Sequence, residues 1–277
     1  MLSESGVRFL LGSDGDDTLR LKGRSICSGK GKGELVLLDR PFSFLGGVEP
    51  STGILTSSSG QQGRCISAQV FGFPRGRGST VGSYTILQMR KEGTLPAAII
   101  NERAETIVAT GAVMAGVPMM DAIDLSLLRD GDQLQFDAGL GEITVEGVDE
   151  SPVVTCLLMH EGRILVLKRS QEVSTNRGLW AGVSGYIEEG ESPLETALKE
   201  IREEASINEP RLLKAGGMQS VRSEDRVWHV HPFLFESPTD EVRIDWEHTE
   251  YRWIVPGEAE ALQLVPGFAR ILRSLMG

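Results

Sequence analysis

Residues 185–207, GYIEEGESPLETALKEIREEASI, carry seven glutamates against one lysine and one arginine. Three of them, Glu200, Glu203 and Glu204, stand at i, i+3 and i+4. On a helix those spacings bring side chains together, and like charges there repel by a few tenths of a kcal/mol. One arrangement that accounts for this is a solvated acidic face. The other is a divalent cation supplying the missing positive charge. Mg2+ or Mn2+ favours carboxylate oxygens, keeps several waters and is commonly shared with substrate phosphates. Gly185, ahead of the helix, lets backbone approach the same ion closely. A second cluster has the opposite sign. In VFGFPRGRGSTVGSYTILQ (70–88), Arg75 and Arg77 flank Gly76, Gly78 follows, and Ser79 stands where a helix begins. Two guanidiniums, close-approach glycines and free amides at a helix start fit an anion pocket. The plainer alternative makes Ser79 an ordinary N-cap and leaves the arginines solvated. No lysine stands where a Walker loop needs one.

The elements that must position these groups follow from local pattern. Ser192 opens SPLE, so Ser192 caps a helix, Pro193 takes its first turn and Glu195 closes a capping box. Leu194, Ala197, Leu198, Ile201 and Ala205 then make an apolar stripe directed at a core. In the first half, short apolar runs at 33–38, 68–73, 96–101 and 117–121 alternate with helix-like stretches at 79–91 and 104–115. That spacing predicts a compact α/β unit with parallel pairing. Residues 130–147 read as strand, glycine turn and strand, and VDESP (148–152) as a short linker. The second half opens on VVTCLLM, the turn HEGR and ILVLKR, a β-hairpin. Further strands are expected at 226–235 and 251–256, with a closing helix over 268–276. Two domains result, at 1–148 and 151–277.

Composition narrows the function classes. The chain has 277 residues, 40% hydrophobic and 24% charged, as expected of a soluble globular protein. A formal net charge of -11 argues against a nucleic-acid polymer as partner, because phosphate-backbone binding needs a basic footprint. Three isolated cysteines, Cys27, Cys65 and Cys156, fit a reducing cytoplasm and supply no four-cysteine cluster site. The first 17 residues lack the basic start and apolar core of a signal peptide. No apolar run reaches the roughly 18 residues of a membrane span. A cytoplasmic protein with no membrane partner is expected.

Two resemblances sharpen these readings. The acidic string resembles the Nudix box, G-x5-E-x7-R-E-U-x-E-E-x-G-U, with U a bulky apolar residue. Gly185, Glu191, Glu200, Ile201, Glu203, Glu204 and Ile207 fall on its positions in register. Lys199 stands where the family has arginine, and Ser206 where it has the helix-ending glycine. RGLWAGVSG (177–185) and EHTEYRW (247–253) resemble the flanking segments. The resemblance implies a Nudix α/β/α sandwich and metal-dependent hydrolysis of a diphosphate linked to another moiety. It assigns Mg2+ (or Mn2+) to Glu200, Glu203 and Glu204 with the Gly185 carbonyl. Glu203 and Glu247 become the catalytic candidates, Glu250 the reserve. QEVSTNRG (171–178) and SVRSEDRVW (220–228) are the expected specificity loops. Dimers are frequent in that family, so a homodimer is compatible with it.

FSFLGGVEPSTG (42–53), FPRGRGSTVGSY and PAAIINERAETIVATGAVMAGVPMMD resemble the swivel domain of aconitase X-type hydro-lyases, including the small subunits of archaeal phosphomevalonate dehydratases. This implies a swivelling β/β/α domain in which Ser79 is the proton acceptor and Arg75, Arg77 and Gly78 hold a phosphorylated small-molecule substrate. It also implies a separate iron–sulfur large subunit, which this chain does not contain. The second function in view is therefore a small, binding or regulatory subunit of such a hydro-lyase.

Overall fold

The computed structural model describes residues 18–277. The reading that the first 17 residues are not a signal peptide, and the start of the first domain at residue 1, lie outside the described residues. Contacts divide the chain into two compact units that part at Asp149–Glu150, with Ser126–Leu128 grouped with the second.

Among the described residues the first unit contains an eight-stranded sheet. Its strands are β1 (Thr18–Lys22), β2 (Arg24–Cys27), β3 (Lys30–Leu37), β4 (Val70–Arg75), β5 (Ala98–Arg103), β6 (Met119–Asp121), β7 (Gln133–Asp137) and β8 (Glu142–Glu146). The order is β1-β8-β7-β3-β4-β5-β6-β2. Strands β3, β4, β5 and β6 are parallel neighbours, and antiparallel strands extend the sheet on either side. The crossovers are the helices α1 (Val81–Glu92) and α2 (Thr106–Ala115), within two residues of their sequence-predicted limits. Val36, Phe71, Phe73 and Ile99 from the sheet pack with Ile86 and Met89 of α1 and Val108 and Ala112 of α2. Phe42, Phe44, Phe71 and Phe73 meet largely edge to face, with ring centroids 4.9–6.2 Å apart. Gly111 lets the helices close up, since a Cβ there would lie 2.6 Å from Ile86 Cδ1.

The second unit begins without a linker: residues 148–152 lead directly into β9 (Asp149–His160), because the backbone of this stretch is extended and joins the strand. Hairpin β9–β10 (Arg163–Arg169) forms as expected. Around it lie β11 (Trp180–Ala181), β12 (Val183–Tyr186), β13 (Arg211–Ala215), β14 (Gln219–Ser223), β15 (Arg226–Glu236) and β16 (His248–Ile254). The path is β11-β10-β9-β15-β13, with β12 on β9, β14 on β15 and β16 on β10. The continuous apolar runs of β9 and β10 are explained by cover on both faces. Val154, Cys156, Leu158, Leu165 and Leu167 join Ala197, Ile201 and Ala205 of α3 (Pro193–Ala205). The alternating set Val153, Leu157, Ile164 and Val166 joins Phe268, Ile271, Leu272 and Leu275 of α4 (Phe268–Met276). Period-two alternation between two helical layers makes an α/β/α sandwich.

Candidate functional site

Helix α3 is fixed at its start by the capping box expected from SPLE. Ser192 Oγ accepts from the Glu195 amide, and Glu195 Oε2 accepts from the Ser192 amide at 3.0 Å. Its C-cap is Ser206, left-handed at φ 55°, so the helix ends where the sequence lacks the usual glycine. Ala197, Ile201 and Ala205 are fully buried, whereas Leu194, assigned to the same stripe, is 38% exposed in the first turn. Lys199 reaches Glu191 at 3.2 Å and Glu188 at 3.5 Å, a point-charge contact to Glu191 in place of an arginine fork. Thr196 Oγ1 donates a second hydrogen bond to Glu191 at 2.8 Å.

The buried stripe turns Glu200 and Glu204 inward. Both line a cleft of about 530 Å³, together with Gly185, Ser184 and Glu247. Gly185 is opposite Val154 in the β9–β12 ladder, and the Glu200 carboxyl group occupies the space its Cβ would need. The glycine therefore makes a cradle for that carboxylate. Glu204 is 3% exposed and accepts from the Ser184 amide at 3.2 Å. Glu203 points elsewhere: it is exposed and outside the cleft lining, because one helical turn places i+3 and i+4 on opposite sides of residue i.

Glu247 stands just before β16, where β10 bulges between Lys168 and Arg169. Its carbonyl accepts from the Ser170 amide at 2.7 Å and its amide donates to Asp245 Oδ1 at 3.1 Å. The backbone is thus pinned while the side chain lines the cleft. His248 is buried, hydrogen-bonded through Nδ1 to Asp245 at 3.0 Å, with Nε2 3.9 Å from Glu204. Asp245 was not singled out from sequence; nothing in its local pattern marks it, and only the loop's fold brings it to His248. Glu250, the reserve candidate, is taken by Arg252 Nη2 at 2.6 Å and lies 3.9 Å from Lys168, an ordinary ion pair.

Electrostatics record the crowding. Burial, then the charge of Glu203, then Glu247 and Glu191 push the Glu200 carboxyl up to about 7, with Lys199 opposing. Burial and then the Glu200 charge hold Glu204 well above the ordinary range, against the Ser184 hydrogen bond. Burial also pushes the Cys156 thiol up, so it is an inert core group. Among the described residues no group of three or more His, Cys, Asp or Glu side chains is arranged to hold a metal ion. The donors that do converge are hard oxygens, two carboxylates under mutual repulsion beside a glycine-lined cradle. That chemistry fits Mg2+ or Mn2+.

Both expected specificity segments reach the cleft. Residues 172–176 line one part, and Val221, Ser223 and Trp228 another. The latter three belong to the β14–β15 hairpin, not to a loop, because residues 219–223 pair with 226–230. Arg169 Nε donates to the Thr175 carbonyl at 3.1 Å, fixing the first segment.

The arginine–glycine cluster of the first unit lies at the carboxyl ends of β4 and β5. Arg75, Arg77 and Ser79 are all exposed, and Arg75 sits opposite Arg103 in the parallel ladder. Gly78 is required: its φ is 111°, and a Cβ there would lie 2.7 Å from Ser43 Oγ. The helix N-cap is Thr80 and not Ser79, whose Oγ accepts from the Val81 amide at 3.4 Å.

Comparison with known proteins divides at the same place. Residues 20–145 match the aconitase X swivel domain, and residues 150–275 match the NUDIX domain. The phosphomevalonate dehydratase small subunit of Thermococcus onnurineus is 51% identical over 129 residues, 46% of this chain and 99% of that protein. The crystal structure of Thermococcus kodakaraensis aconitase X in its holo-form is 48% identical, covering 46% of this chain and 98% of that one, at TM-score 0.45. A MutT protein from Methanosarcina mazei Go1 is 23% identical, covering 46% of this chain and 92% of that one, at TM-score 0.40. The chain belongs through its first half to the aconitase X swivel-domain family, and its second half carries a NUDIX domain.

Proposed function

We propose that this chain is a divalent-metal-dependent Nudix hydrolase that cleaves a diphosphate linked to a second moiety, with nucleotide and isoprenoid diphosphates as candidate substrates. The observation that carries the reading is the convergence of Glu200, Glu204 and Glu247 on one cleft, with Glu200 seated over Gly185. Glu200, Glu204 and the Gly185 carbonyl would hold the Mg2+ or Mn2+ ion; the motif register adds Glu203, which stands on the exposed side of α3 outside the cleft lining. When bound, the ion neutralises diphosphate charge and acidifies water. Glu247 takes the proton of the attacking water; its pinned backbone aims the carboxylate at the cleft. His248, hydrogen-bonded to Asp245 through Nδ1, lies behind Glu204 with Nε2 3.9 Å from its carboxylate. Cleavage moves one water oxygen onto phosphorus and releases the other phosphate with its substituent.

The test is a hydrolysis screen over nucleotide, sugar and isoprenyl diphosphates with Mg2+ and Mn2+. Chelation and Glu203→Gln are expected to abolish cleavage; full activity in metal-free buffer contradicts the reading.

A second reading is favoured by one observation, the 51% identity spanning 99% of a phosphomevalonate dehydratase small subunit. On it, the first unit pairs with an iron–sulfur large subunit of a hydro-lyase, Ser79 accepts the substrate proton, and Arg75, Arg77 and Gly78 hold its phosphate. Co-purification of the full chain with such a large subunit supports this function. Robust hydrolysis with no such association counts against it.

A further inference from the structure

Two groups of side chains line the cleft, and they come from different layers of the sandwich. Glu200 and Glu204 stand on α3, on one side of the sheet. From the other side, Val153 of β9, Val221 of β14 and Val230 of β15 line it, with Phe268 and Ile271 of α4 and with Val265 just before that helix. All six belong to, or pack against, the apolar cluster between the sheet and α4, and Val153, Val230, Phe268 and Ile271 are at most 8% exposed. Cores are normally packed without voids, so an aliphatic wall that opens onto a cleft is apolar surface left for a ligand to cover. None of the six side chains carries a hydrogen-bonding atom. The backbone beside them is already engaged. The Val265 amide donates to the Trp180 carbonyl at 3.0 Å, the Phe268 amide to the Val265 carbonyl at 3.2 Å and the Ile271 amide to the Gly267 carbonyl at 3.1 Å. Val221 and Val230 stand in the β14–β15 ladder, opposite Trp228 and Gln219. At about 530 Å³ the whole cleft exceeds a bare diphosphate and has the size of a small-molecule site.

We propose that the cleft takes diphosphates whose second moiety is an aliphatic hydrocarbon chain, seated against Val153, Val221, Val230, Val265, Phe268 and Ile271. The inference rests on the hydrolase reading for the phosphate end and names the chemistry of the other end. A hydrocarbon chain covers the aliphatic wall and needs no hydrogen-bond partner there. A nucleobase placed against the same wall loses water from its ring nitrogens and exocyclic groups and finds no side-chain partner for them, which costs more than the contact returns.

Equilibrium binding to the full chain, measured by calorimetry with Mg2+ present, tests this without turnover. The probes are methylenediphosphonate, its butyl and octyl monoesters, and α,β-methylene-ADP. Each methylene moved from water into an apolar site is worth about fourfold in affinity. After the cost of ordering a flexible chain, the octyl ester is expected to bind at least about tenfold more tightly than the butyl ester and than α,β-methylene-ADP. Val230→Phe fills the space beside the wall and is expected to weaken the octyl ester about tenfold or more. Methylenediphosphonate is expected to change less than twofold, which also shows that the variant is folded. Val265→Phe, at a partly buried position, gives the same reading should the first variant not fold. A chain that binds in this pattern but hydrolyses nothing supports the hydrocarbon site and refutes the hydrolase reading alone. The proposal is overturned if the wild type binds none of the probes, if affinity does not rise with chain length, or if α,β-methylene-ADP binds more tightly than the octyl ester. It is equally overturned if the folded variants bind the octyl ester as the wild type does or weaken all the probes alike.

Discussion

Replacing Gly185 by alanine separates the stability of the second unit from its chemistry. A Cβ at 185 falls on the Cγ, Cδ and Oε1 atoms of Glu200, so that carboxylate must leave its present position. The obstructing group is the far end of a flexible side chain, and Glu200 is half-buried, so it can swing toward solvent. The folding cost therefore belongs at the low end of overpacking, about 1 kcal/mol. That is a few degrees in melting temperature for a unit of this size. Catalysis is less forgiving, because a displacement of about 1 Å in a catalytic constellation costs roughly 100-fold. Gly185→Ala is thus expected to lose about 100-fold in kcat/KM for diphosphate hydrolysis while melting within about 5 °C of the wild type. Steady-state kinetics with Mg2+, run beside a thermal melt, read both. Wild-type kcat/KM in Gly185→Ala refutes the argument that the glycine exists to seat Glu200. A collapse of the melt by tens of degrees shows instead that the glycine is a packing residue.

Other outcomes follow from the same contacts. Glu204→Gln keeps the shape but removes a buried charge that repels Glu200, so it is expected to raise the melting temperature slightly while reducing hydrolysis. Ser206→Gly relieves a left-handed C-cap at φ 55°, with an expected gain of about 0.5 kcal/mol by denaturant melting after glycine's own entropy cost. In the first unit, Asp121 accepts twice from Arg24, at 2.7 and 2.8 Å, and once from the Ala104 amide at 2.9 Å. The Arg24 hydrogen bonds hold its carboxyl below the usual range in the folded state. That contribution is therefore complete above the unfolded carboxylate's titration near pH 4 and is lost as pH falls through the lower folded value. Asp121→Asn is expected to lower the melting temperature of the first unit at pH 7 and to flatten its fall toward pH 3.

Much of this architecture was legible in sequence, for identifiable reasons. The capping box of α3, its buried Ala197–Ile201–Ala205 stripe and the closing helix α4 are local patterns that tertiary packing reinforced. The strand–helix alternation of the first unit gave parallel pairing because each crossover carries its own helical period. Leu194 failed the stripe because the first helical turn projects beyond the core. Residues 148–152 looked like a linker from their acidic and proline content, yet they continue into β9. Within the site, register in a motif identified Gly185, Glu200, Glu203 and Glu204 together, but helical rotation puts Glu203 outside the cleft lining. Asp245 could not be read, because it acquires meaning only through His248 and a partner distant in sequence, Glu204.

The most direct measurement is Mn2+ uptake by the full chain, followed by electron paramagnetic resonance in the presence of α,β-methylene-ADP. The wild type is expected to bind Mn2+, and a Glu200→Gln/Glu204→Gln chain that still melts cooperatively is expected to lose that binding. Equal uptake by both proteins contradicts the assignment of these two carboxylates as the seat of the chemistry.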